Sequence, residues 1–199
     1  MLKKASVVFQ CCSGVIGVIV LWAGITTAMR RAGLGLVDSR PISYLGVDPL
    51  TSQLFSFSLL LSAFLFIHFA FYVRHTYKLK NRFLLYFLIG QAGQIIAAVT
   101  PFGKASNYKL VHTIAAFTLA FSLPLLINAF AYAQKNSSHF VLYKRLLRLE
   151  QLTFIVGIGL FTFTEGVAPL GEALPAIGFH VWIIAITIVS LKTKPFANE

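Results

Sequence analysis

The chain has 199 residues, 57% of them hydrophobic and 12% charged, with a mean hydropathy of +0.79. A soluble domain of this length needs more polar surface, so water-soluble enzyme classes are excluded, and the length suits one domain over 1–199. The formal net charge of +11 would suggest nucleic acid in a soluble protein. Here the cations sit in short segments between apolar runs, which reads as membrane orientation and implies no nucleic-acid partner.

Six stretches are long and almost uncharged: Ser6–Met29, Ser52–Val73, Phe83–Thr100, Leu110–Ala133, Gln151–Thr164 and Leu174–Leu191. A helix needs about 20 apolar residues to cross the hydrocarbon core of a bilayer. The predicted fold class is therefore an all-α, polytopic membrane bundle of six transmembrane helices, placed in the cell membrane.

The first stretch follows Lys3 and Lys4 but is too long for a signal-peptide core. No small-x-small cleavage site precedes Arg30, so it is read as a retained helix. Cys11 and Cys12 are adjacent, point to different helix faces, and form no metal pair. Ser13, Gly17 and Gly24 make a small-residue stripe suited to close helix approach. The connection Arg30–Thr51 is punctuated by Pro and Gly and reads as an ordered, turn-rich cap. His68, in the inner half of the second span, is expected to bond a neighbouring helix. The third span carries a second stripe, Gly90, Gly93 and Ala97, and places Gln91 and Gln94 on one face at i and i+3.

In the fourth span Pro124 removes one backbone hydrogen bond, so a kink is expected there, with Ser122 placed to satisfy a freed carbonyl. Asn128 of the same span is expected to bond a neighbour. Ahead of the fifth span, Val141–Glu150 has Leu142, Leu146 and Leu149 on one side and Lys144, Arg145 and Arg148 on the other. That pattern fits a basic interfacial helix or the wet first turns of the fifth helix. The connection Gly166–Ala173 is short and acidic through Glu172, with Glu165 just before it.

Orientation follows from Lys and Arg alone. Lys3, Lys4, Arg74, Lys78, Lys80, Arg82, Lys135, Lys144, Arg145, Arg148, Lys192 and Lys194 fall on one side, which makes 12. Arg30, Arg31, Arg40, Lys104 and Lys109 make 5 on the other. Both termini are expected to be cytoplasmic, against the local excess at Arg30 and Arg31.

The six spans, Ile42-Ser43-Tyr44-Leu45-Gly46 in the first outer connection, Leu54-Phe55 entering the second helix, and Thr100-Pro101-Phe102 ahead of His112, Ala115 and Ala116 resemble a bacterial and archaeal membrane family. That family is the domain of unknown function 998, distantly similar to the FRAG, DRAM and Sfk membrane proteins, which are tied to lipid handling and membrane trafficking. The resemblance spans nearly the whole chain and implies a six-span fold and a membrane location, without a reaction. Members of the family often carry an Arg near the start of the last helix. Here that stretch reads Gly171-Glu172-Ala173-Leu174, so a role for the Arg does not transfer.

Polar side chains inside a bilayer need a partner or a use. With the N-terminus inside, His112 and His180 lie near the outer ends of their helices, as does Glu165, and Gln94 and Gln91 approach the same side. These five residues are the candidate pocket. Four readings compete: a hydrogen-bonded packing seam; an outward-facing pocket for a lipid or small ligand; a metal-dependent or acid/base hydrolase site of His112, His180 and Glu165; and bis-histidine haem ligation by His112 and His180. The sequence holds no HExxH motif, Walker loop, Ser-His-Asp arrangement or dinucleotide fingerprint. The expectation is accordingly no metal and no cofactor, with no catalytic residue assigned. The partners are the lipid bilayer and a lipid or small-molecule ligand, or another protein if the role is purely structural. A transporter would need a polar route through the inner half, where only Asn128 and His68 stand.

Overall fold

The computed structural model describes residues 2–100, 106–164 and 166–193. Among the described residues are six α-helices and no strand: α1 (Leu2–Ala32), α2 (Ser52–Thr76), α3 (Asn81–Val99), α4 (Ser106–Ala133), α5 (Phe140–Phe163) and α6 (Ala168–Thr193), with a 3₁₀ segment at Ile42–Gly46. All six helices are long and apolar enough to cross a membrane, and large apolar side chains such as Phe64 (63% exposed) and Ile155 (67%) point outward. A water-soluble fold would bury such residues, whereas lipid is their natural solvent. The chain is a multi-pass membrane protein.

Sequential helices pack as neighbours, and α6 returns to α1, so the six form a closed ring. The small-residue stripes set the closest approaches. Gly17 lies against Phe66 and Leu65 of α2, and Gly24 against Ser58. Gly90 faces Ser122, and Gly93 lies directly on the α4 backbone at Ala115 and Leu119. Both stripes are thus packing faces.

The interior has two unlike halves. Toward the basic end, where Lys78, Lys80, Arg82 and Lys135 flank the short connections, it is a solid aromatic cluster. Trp182 sits 5.4 Å from Phe130, 6.0 Å from Phe179 and 6.2 Å from Phe69 by ring centroids, while Phe87 and Phe66 close on Phe179 at 5.8 and 5.7 Å. Toward the other end, capped by the 3₁₀ segment, a cavity opens.

Several local expectations change. Of the two readings of Val141–Glu150 the second holds: it forms the first turns of the continuous α5 and no separate interfacial helix. Its leucine side turns inward at Leu146, and Glu150 is 0% exposed. Glu172 is not in a connection, because α6 begins at Ala168. Ser122 Oγ donates to the Leu119 carbonyl at 2.7 Å, not to Ala120, whose carbonyl is the one Pro124 leaves without a donor. His68 and Asn128 lie on outward faces, with His68 edge-on to Phe9 at 6.0 Å. Pro101 and Phe102 lie outside the described residues.

Candidate functional site

The cap is built first. Asp38 accepts from the Arg40 side chain and backbone, and the Asp38 carbonyl accepts from Ala168 N–H at 3.1 Å, tying the first connection to the start of α6. The 3₁₀ segment then lays Ser43 over α6. Its backbone N–H donates to Glu172 Oε2 at 3.0 Å, and its Oγ donates to Glu172 Oε1 at 2.9 Å. Both carboxyl oxygens therefore act as acceptors toward the cap.

Beneath this cap lies a cavity of about 230 Å³ whose wall draws on all six helices. Three of the five predicted residues line it: His112, His180 and Gln94. Trp22 Nε1–H donates to His180 Nδ1 at 2.9 Å. An indole nitrogen can only donate, so Nδ1 is unprotonated and the imidazole proton is on Nε2. The ring is held between Phe66 and Phe179 at 5.6 and 5.7 Å, and it lines the cavity. Gln94 Nε2 donates to the Leu59 carbonyl at 2.9 Å and to Ser62 Oγ at 2.8 Å. A carbonyl can only accept, which fixes the amide orientation and leaves Oε1 as the acceptor on the cavity side.

His112 plays a different part. Its Nδ1 lies 2.7 Å from the Thr100 carbonyl and donates to it, so the ring pins the second turn of α4 to the end of α3. Carbonyls at a helix C-terminus lack intrahelical donors, and this contact supplies one. Gln91 does not line the cavity; it is 1% exposed, and its amide has no partner among the described residues. It sits one turn from Gln94 toward the aromatic cluster, below the cavity floor. Glu165 lies outside the described residues. Among the described residues no group of three or more His, Cys, Asp or Glu side chains is placed to hold a metal ion.

Two carboxyl groups escaped the sequence reading. Glu172 lines the cavity, and its only trace in the sequence was an acid among small and apolar residues. Glu150 is buried against Gly178 of α6, and neither oxygen has a hydrogen-bond partner among the described residues. It lies 10 residues from the start of α5, or about 15 Å along the axis.

The cavity is not sealed. Phe117 of α4 and Phe161 of α5 line it and are 41% and 44% exposed. These partly exposed side chains point to an opening between the cap-end halves of α4 and α5. Deeper in, Phe121 meets Phe154 edge-on at 5.1 Å and closes the same seam. Two prolines alter the helices that wall this space: Pro124 leaves the Ala120 carbonyl, and Pro175 the Gly171 carbonyl, without the usual i+4 donor, and Ala120, Gly171 and Pro175 are lining residues. Irregular backbone bonding of this kind is tolerated at membrane depth where it borders a cavity. Comparison with family models, curated proteins and solved structures finds no match.

Proposed function

We propose that this protein sits in the cell membrane with its cap outside and binds a lipid or lipid-like small ligand in the capped cavity. The side opening between α4 and α5 carries the reading. A site meant for a water-soluble solute opens along the bundle axis, whereas this mouth faces the acyl-chain region. The interior matches that route, with Leu119, Leu123, Ile158 and Phe179 forming apolar walls and Glu172, Gln94 and His180 supplying a few fixed polar points. Ligand sites have this mix of apolar wall and sparse polar groups. Placing the cap outside rests on the 12 to 5 division of Lys and Arg. The resemblance to the domain of unknown function 998 family, with its distant lipid-handling relatives, points the same way.

The test uses Trp22, which lines the cavity. Trp182→Phe leaves it as the sole tryptophan, and a lipid with a brominated chain should quench it saturably in nanodiscs. Ala120→Leu, which fills the cavity from α4, should abolish the saturable part. Equal, linear quenching in both proteins overturns the proposal.

A further inference from the structure

The chemical class of the ligand can be taken further from the bonding state of the main polar lining groups, an argument that rests on the lipid-like-ligand reading above. Glu172 meets Ser43 with both oxygens as acceptors, and a carboxylate has lone pairs beyond those two bonds. Gln94 has committed both N–H groups to α2, so its remaining group is an acceptor. The Ser43 hydroxyl and the Trp22 indole are already engaged as donors. The Ala120 carbonyl, which Pro124 leaves without its i+4 donor, adds another acceptor to a lining residue. Against these stands His180 Nε2–H as a donor, suited to a neutral oxygen such as a hydroxyl or ester carbonyl. No Lys or Arg lines the cavity among the described residues. Arg40, a cation of the cap, is turned to Asp38 at 2.9 Å and lies over the Tyr44 ring.

A phosphate or sulfate head would bring negative charge and more acceptors to a wall that already holds a carboxyl group and several acceptors. A head that supplies donors and positive charge completes it. We infer that the cavity selects an amphiphile with an amine head, and that Glu172 is its counter-group. Position agrees with chemistry: Glu172 lies at the cap end of α6, and His180 is eight residues, about 12 Å, deeper. The amine thus stays near the interfacial level while the chain passes the apolar wall.

The experiment compares three probes sharing one brominated alkyl chain and differing only in head: amine, alcohol and sulfate. Each is titrated into Trp182→Phe protein in phosphatidylcholine nanodiscs, with Ala120→Leu defining non-specific quenching. The amine should saturate Trp22 quenching at a mole fraction about tenfold or more below the alcohol, as expected for a charge-assisted hydrogen bond, with the sulfate weakest. Glu172→Gln should bring the amine to the alcohol's level and leave the alcohol unchanged. Saturable binding of all three heads with equal strength, or tightest binding of the sulfate, overturns the amine inference while the lipid-like-ligand reading stands. Absence of saturable quenching by any head overturns both. The head-group comparison requires no change at Glu172, so it decides the matter even if that variant fails to fold.

Discussion

Gly93→Ala should weaken the bundle although alanine is the better helix former. A Cβ built at Gly93 would stand 2.6 Å from the Ala115 carbonyl oxygen and 2.9 Å from the Leu119 nitrogen, both main-chain atoms of α4. Ordinary contact begins near 3.4 Å, so α3 and α4 must part by about 0.8 Å, and neighbouring contacts along the crossing lose dispersion energy together. Overpacking of this kind costs about 1–3 kcal/mol, while replacing a mid-helix glycine by alanine returns about 1 kcal/mol. The net loss should be up to about 2 kcal/mol, or a fall in Tm of up to about 8 °C for a chain of this size. Gly159→Ala is the matched control, because nothing lies within 4 Å of a Cβ there, and it should leave Tm unchanged or raise it. Melting of the purified variants in one detergent reads both. If Gly93→Ala melts with Gly159→Ala at or above the wild-type temperature, the α3–α4 contact is not as tight as described.

Topology can be read with single cysteines in a background lacking Cys11 and Cys12: Val37→Cys, at a position 80% exposed on the cap, should react with an impermeant thiol reagent in intact cells, and Ser138→Cys at the basic end should react only after lysis. The reverse pattern would invert the bundle. In the cap, the hydrogen-bonding Arg40 side chain holds the Asp38 carboxyl down to about 2 from its usual 3.8. A depressed folded value means the pair's contribution is in place above about pH 4 and is lost as the pH falls through about 2. A carboxyl NMR titration should show that midpoint, and Arg40→Gln should move it back toward the usual value; no movement would show that Arg40 is not the cause.

The spans were legible because uncharged runs of helical length have one stable solution in lipid, and the stripes at Gly17/Gly24 and Gly90/Gly93 were legible because helical spacing alone puts small residues on one face. Gln94, His112 and His180 could be brought to one end of the bundle by counting residues along alternating helices. What counting could not supply was rotation and partnership. Gln91 shares a face with Gln94 yet falls one turn short of the cavity. His112 reaches the right depth but engages the end of α3. Glu172 looked like part of a connection because proline and glycine surround it, and its place became clear only when α6 was seen to start at Ala168 and Ser43 to fold over it. Glu150 was disguised by Lys144, Arg145 and Arg148, which share its helix but face away from Gly178.

The side mouth between Phe117 and Phe161 has a thermodynamic consequence. A ligand that arrives through it never leaves the bilayer, so the concentration governing occupancy is a two-dimensional one, the ligand's mole fraction in the surrounding leaflet. Occupancy should then be indifferent to the volume of buffer and should fall when inert lipid is added at constant total ligand. Dilution of the leaflet, such as accompanies membrane growth, would empty the cavity with no change in the ligand's intrinsic affinity.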